Sequence, residues 1–237
     1  MAFHHSPRII TDGLVLSLDA GDKNSYPGSG TTWTDLSPNG NNGTLTNGPT
    51  FSSGNGGSIV FDGTNDYVNC GNDSSLNISG NLTFDFWFNA DSITGAPALA
   101  TNWHMPSNQR KFQFCVYSSS GYRLLYYSSQ TGTAYSSMVT PAGSISLNTW
   151  HLASFQYNQV TTERIVYVDG VFSASDVSTY TSLYSGAELD TFIGTSPDDS
   201  GGRYFDGKIA SVKIYNRALS TKEISQNFNA QRHRFGV

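Results

Sequence analysis

Glu188 and Asp190 lie two residues apart in the run GAELD, and on a strand that spacing puts both carboxylates on one face. Two carboxylates flanking one bond are what glycoside hydrolysis requires, one as acid and the other as base or nucleophile. The chain holds three glutamates, Glu163, Glu188 and Glu223. Glu223 follows Ser220 by three residues in STKE, the spacing of a helix capping box. Glu163 sits in a TTER turn. Glu188 with Asp190 is the best acid pair that remains, and we read it as a solvated strand entrance. The expectation is a protein without catalytic residues.

Other reactive groups are sparse. GSGTTW and SSSGYR do not fit the Gly-x-Ser-x-Gly elbow of serine hydrolases. His104 and His151 have no Cys or Asp partner in a recognisable pattern, and His151, after Trp150 in a strand, reads as half-buried and structural. His4 and His5 belong to a flexible terminus. Cys70 and Cys115 are far apart, form no CxxC or Cys/His set for zinc, and read as two small buried residues. FDGTNDY groups Asp62, Asn65 and Asp66 in one turn, oxygens of the kind calcium takes. The same residues can instead hydrogen-bond their own turn. The expectation is no cofactor; if calcium is bound, these three hold it.

Sugar binding uses aromatic faces beside polar groups. The candidates are Trp103, in the polar stretch TNWHMPSNQR read as a loop, and Tyr122, Tyr126 and Tyr127 in GYRLLYY, of which Tyr122 and Tyr126 are taken forward. Tyr126 and Tyr127 point to opposite faces of a strand, so one of them at most shares a surface with any other residue. Exposed Trp and Tyr also suit a protein partner.

The formal net charge is −5, and charged residues are 13% of the chain. No basic face is available to neutralise phosphates, so nucleic acid is excluded as a partner. No apolar run approaches the ~20 residues of a membrane helix. MAFHHSPRIITDG lacks the apolar centre of a signal peptide, so the chain is expected to be made in the cytoplasm. Fourteen Phe, 13 Tyr and 24 Gly, with abundant Ser, Thr and Asn, point to short strands joined by tight turns.

The periodicity agrees. In NLTFDFWFNAD, Leu82, Phe84, Phe86 and Phe88 share one side and Thr83, Asp85 and Trp87 the other, a period of 2 that excludes a helix. Leu14, Leu16 and Leu18 alternate likewise, as do Ile59 and Phe61. Further strands are read at Lys111–Tyr117, Tyr122–Ser128, Ala134–Val139 and Trp150–Tyr157, then in LDTFIGTS. ERIVYVDGVF is a hairpin turning at Asp169-Gly170. FDGKIASVKIYNRAL is the last long strand, with Ile209, Val212 and Ile214 inward if a bulge intervenes. Ser25 to Asn55 is a long polar connector pinned by Trp33 and Leu36. A short helix follows Ser220, with Ile224 and Phe228 packing as a pair, and QRHRFGV trails with Phe235 as a lone plug. The expected organisation is an N-terminal arm over 1–12, a single domain over 13–229 and a tail over 230–237.

GLVLSLDAG, GSIVFDGTNDYV, the strand pair TWHLASFQYN…RIVYVDGV and FDGKIASVKIYNRALSTKEI together resemble the laminin-G-like, concanavalin A-like lectin/glucanase superfamily. The resemblance implies an all-β, antiparallel two-sheet β-sandwich of jelly-roll type with one short C-terminal helix. The family's glucanases carry Glu-x-Asp motifs with a third acid, which this chain lacks. Many of its members bind calcium with an Asp in a final Gly-x-Ile-Asp; Ala210 stands at that position. SYPGSGTTWTDLSPNGNNGTL and NFNAQRHRFG resemble virion proteins of tailed bacteriophages. That implies a capsid decoration protein whose partners are capsid or other virion proteins, with polysaccharide as a second partner and self-association open. The alternatives are a tail or fibre adhesin for host glycans, or a glucanase-type enzyme.

Overall fold

The computed structural model describes residues 7–186, 189–196 and 203–237. The strands run, in chain order, β1 (Leu14–Asp19), β2 (Thr32–Trp33), β3 (Gly43–Thr46), β4 (Thr50–Ser52), β5 (Ser58–Asp62), β6 (Tyr67–Asn69), β7 (Leu82–Ser92) and β8 (Ala98–His104). There follow β9 (Gln109–Tyr117), β10 (Arg123–Ser128), β11 (Ser136–Val139), β12 (Trp150–Asn158), β13 (Glu163–Val168), β14 (Val171–Val177), β15 (Phe192–Ile193), β16 (Asp206–Tyr215) and the helix α1 (Thr221–Phe235). They form two antiparallel sheets. The first has the order β14-β13-β12-β7-β16-β5-β4, with β1 also paired to β16; the second runs β11-β10-β9-β8-β15-β6-β3-β2. The expected sandwich is what the chain forms.

Alternation fills the space between the sheets. Leu82, Phe84, Phe86 and Phe88 of β7 all enter the main core. Phe84 meets Phe112 and Phe114 of β9 across the sandwich with ring centroids 4.9 Å apart, and Phe114 stacks on Phe155 of β12 at 4.5 Å. In β16 the register shifts between Ile209 and Ser211. That bulge turns Ala210 outward and keeps Ile209, Val212 and Ile214 in the core, as β-bulges re-aim side chains. At one edge, Arg164 of β13 ties the sheets together. Its buried guanidinium bonds Asp176 of β14 and donates to Ser128 Oγ and to the Ser136 carbonyl on the second sheet.

The outer face of the first sheet is covered by α1. Ser220 and Glu223 form the expected capping box. The helix is longer than its sequence signal suggests: it runs through the segment read as a trailing tail and ends at Phe235, with Gly236 left-handed at φ 73°. Ile224 and Phe228 do not pair. Ile224 packs with Leu14, Tyr167, Tyr215 and Leu219, whereas Phe228 stacks on Trp87. Phe235 is sandwiched against Trp87 and Trp150 at 4.2 and 4.7 Å, and Arg234 pairs with Asp19 at 2.6 Å. A buried polar seam fixes the helix on the sheet: Asn227 donates to Asp85 Oδ2 at 2.7 Å and accepts from the Ile10 amide at 2.8 Å. Burial raises the Asp85 carboxyl and lowers the Lys213 ammonium from their ordinary values.

The connector from Ser25 to Asn55 contributes three short strands, β2, β3 and β4. Trp33 anchors it, fully buried. Leu36 does not; it is 41% exposed. The second anchor is its neighbour Asp35, whose carboxylate accepts from the Ser17, Ser37 and Asn41 amides and from Ser37 Oγ. These donors satisfy the buried carboxylate beside β1.

Candidate functional site

The second sheet carries no helix on its outer face among the described residues, and its aromatic residues gather there. Trp103 belongs to β8, not to a loop, and faces Arg110 of β9 in register. Its ring centroid lies 6.0 Å from Tyr127 of β10 and 5.4 Å from Tyr135, just before β11; Tyr127 and Tyr135 are 5.7 Å apart. Edge-on and tilted ring contacts at such distances hold the three as a unit. Trp103 is 4% exposed and Tyr135 50% exposed, so Tyr135 is the accessible wall and Trp103 the floor. Met105, Gln113 and Arg203 complete the hollow, which holds about 30 Å³. The Arg110 guanidinium lies 5.9 Å from the centroids of both Trp103 and Tyr135, and Arg203 lies 5.9 Å from Tyr127. Burial raises the Tyr127 phenol, opposed by a hydrogen bond from Arg203.

The other two aromatic candidates are elsewhere. Tyr126 points inward, is fully buried, and packs 4.7 Å from Phe114 and beside Phe155. No ligand on the outer face reaches it. Tyr122 is half-buried against the main core. The alternation in LLYYSS decides between Tyr126 and Tyr127, and the inward choice fell to Tyr126 because Leu124 and Tyr126 share a face. Tyr135 was legible from the same parity, since Ser137 pairs with Tyr127 in the ladder and Tyr135 lies two residues before it.

The acids do not assemble a hydrolytic pair among the described residues. Glu188 lies outside the described residues. Asp190 accepts from Asn69 Nδ2 at 2.7 Å, Glu163 accepts from Thr161 Oγ1 at 2.8 Å, and Glu223 serves its cap and Arg217. Arg217 holds the Glu223 carboxyl down at about 2.

His151 does have an acid partner, which sequence reading missed. Asp169 and Gly170 form the expected primed turn, both with positive φ (53° and 76°). That turn brings Asp169 Oδ2 to 2.9 Å from His151 Nδ1, while Nε2 accepts from the Ser146 amide at 3.0 Å. These partners assign the proton to Nδ1. A His–Asp pair is two parts of a nucleophilic triad, but the position of the nucleophile is taken by a backbone N–H, so the pair is structural. His4 and His5 lie outside the described residues. Both cysteines are buried and neither forms a disulfide, and burial raises the Cys70 thiol.

In the 62–66 turn, Asp62 Oδ1 accepts from the Thr64 and Asn65 amides, and Asp66 Oδ2 accepts from the Asp62 amide at 3.1 Å. One oxygen of each carboxylate is thereby committed to the turn, and Asn65 offers its carbonyl to Asn47. No group of three or more His, Cys, Asp or Glu able to hold a metal exists among the described residues. Ala210 is buried beneath α1 beside Trp87 and Phe235. The turn borders a hollow of about 260 Å³ lined also by Ser92, Arg203, Tyr204 and Asp206.

The family model described as the concanavalin A-like lectin/glucanases superfamily, of laminin G type, matches residues 62–225. The chain belongs to that superfamily. Among solved structures, this superfamily member is similar to the binding domain of Paraclostridial Mosquitocidal Protein 1, with a TM-score of 0.70 at 17% identity over 92% of this chain and 52% of that one. It is similar to domain 4 of AbnA, an extracellular arabinanase from Geobacillus stearothermophilus solved with arabinotriose (TM-score 0.66, 16% identity, 92% of this chain, 99% of that one). A third likeness is the Ruminococcus gnavus sialidase CBM40 bound to α2,3-sialyllactose (0.55, 14%, 64% and 84%). The chain spans about half the length of the toxin binding domains it matches. At these identities the likeness establishes the fold. No curated protein sequence matches the chain. No helix among the described residues is long and apolar enough to cross a membrane.

Proposed function

We propose that this is a non-catalytic, lectin-like binding domain whose outer second-sheet face recognises carbohydrate. The observation that carries the reading is the Trp103–Tyr127–Tyr135 cluster on a face without a helix. Its half-exposed Tyr135 ring offers the flat apolar surface on which a sugar's C–H face stacks, and Gln113 and the two arginines offer polar groups beside it. Several structurally similar domains carry binding or a bound glycan in their names, which supports binding over catalysis. The test is a glycan array probed with the wild type and with Tyr135→Ala. Hits that vanish in the variant at unchanged melting temperature support the reading; hits that persist, or no hits at all, overturn it.

The setting we propose is the surface of a tailed-phage particle, as a decoration protein docked on capsid or other virion proteins. Its support is the sequence resemblance of SYPGSGTTWTDLSPNGNNGTL and NFNAQRHRFG. Mass spectrometry of purified particles tests it. A copy number in the hundreds is expected, a handful of copies would place the protein in the tail, and absence would overturn the setting.

A further inference from the structure

Some arginines of this chain are held by carboxylates and others lie over rings, Arg232 of α1 over Phe228 among the latter. On the side of the first sheet, Arg164, Arg217 and Arg234 are each neutralised by carboxylates, Asp176, Glu223 with Asp12, and Asp19. On the second sheet, Arg110 and Arg123 hydrogen-bond backbone carbonyls only, those of Thr133 and Ser119. Neither has a carboxylate partner among the described residues, although the chain has five more acids than bases. Both instead lie over rings, Arg110 over Trp103 and Tyr135 and Arg123 over Tyr117. Arg203 lies 5.9 Å from the Tyr127 ring and hydrogen-bonds its phenol.

Such an arrangement presents guanidinium charge at a fixed place. The rings hold each plane by cation–π attraction without cancelling its charge, as a carboxylate would. Arg110 also keeps its Nε–H buried and without a partner. A guanidinium recognises a carboxylate with paired N–H donors, and the aromatic wall beside it takes an apolar sugar face. In an acidic protein, a cationic aromatic hollow favours an anionic ligand over a neutral one.

Resting on the carbohydrate reading above, we propose that the Trp103–Tyr135 face with the neighbouring Arg110 selects acidic glycans, sugars bearing a carboxylate that the Arg110 guanidinium engages while the ring stacks on Tyr135. The carboxylate could come from a uronic acid or from a sialic acid, and paired probes separate these sources.

The experiment is calorimetric titration of the full chain with oligogalacturonate against its methyl ester, and with α2,3-sialyllactose against lactose. In at least one pair the acid should bind about tenfold or more tightly than its neutral counterpart, the size of one charge-assisted contact. That preference should shrink as NaCl rises from about 50 to about 300 mM, where screening shortens the reach of exposed charges. Arg110→Gln should abolish the preference for the acid while leaving weak binding to both. Lys23→Gln, remote from the hollow, should leave it intact. Equal binding of acid and neutral partner, or no binding of either acid while a neutral glycan binds, overturns the acidic selectivity and leaves the carbohydrate reading standing. No binding of any glycan by folded protein overturns both.

Discussion

Phe235→Ala should destabilise the whole domain, though only two residues of the sequence follow Phe235. The side chain is 5% exposed, with its ring 4.2 Å from that of Trp87 and 4.7 Å from that of Trp150. Removing a buried Phe ring forfeits about 2–3 kcal/mol of transfer free energy. Two aromatic contacts add about 0.5–1.5 kcal/mol each. The last turn of α1 can shift toward the sheet and recover part of that, so the net cost should fall near the lower end for Phe→Ala, about 3 kcal/mol. For a domain of this size that lowers the melting temperature by about 6–12 °C. Urea unfolding followed by tryptophan fluorescence is the assay, because Trp87 and Trp150 report the same contact. The midpoint should drop with an unchanged slope, and the native emission should shift to the red. A loss under about 1 kcal/mol with unchanged emission would refute the docking of the C-terminal turn and return these residues to a tail.

Three further outcomes follow from the same contacts. Arg164→Ala strands Asp176, Ser128 Oγ and the Ser136 carbonyl at the sheet-to-sheet edge; with Asp176 partly exposed, the cost should be about 2–3 kcal/mol in urea unfolding, and a loss near zero would contradict the clasp. Glu223, whose pKa is lowered from 4.5 to about 2 by Arg217, has its folded value depressed. Its stabilisation is therefore complete above about pH 4.5 and disappears as pH falls through about 2, worth roughly 1 kcal/mol after allowing for screening at a partly exposed pair. Glu223→Gln should flatten the stability curve across that window, and a curve parallel to the wild type's would count against the pair. Ser220→Ala removes the N-cap of α1 and should cost about 1 kcal/mol, measurable as a fall in melting temperature with no change in glycan binding.

Much of the fold was readable because one face of each strand is buried. Leu82 to Phe88 and Ile209 to Ile214 alternate strictly enough to give both strand and facing, bulge included. What escaped was signalled weakly or by long-range contact. β8 reads PALATNWH, with small residues and no clean alternation, so its pairing with β9 exceeds its local signal and Trp103 was taken for a loop residue. The last two turns of α1 are polar, and long-range partners, Trp87 and Trp150 for Phe235 and Asp19 for Arg234, explain why they stay helical. The pairing of His151 with Asp169 depends on how a hairpin turn folds back over β12, which spacing does not encode. At the candidate site the residue types were readable and Trp103 was found, while Tyr127 was weighed and passed over for Tyr126; the choice required knowing which face of β10 is buried.

The central claim, that the second sheet's outer face binds carbohydrate, is tested most directly by the indole N–H signals of the four tryptophans in a two-dimensional ¹⁵N spectrum. During titration with a glycan that binds, Trp103 should shift saturably while Trp33, Trp87 and Trp150 stay fixed. A saturable shift of Trp150 or Trp87 with Trp103 unmoved would place the ligand on the helix side and contradict the account.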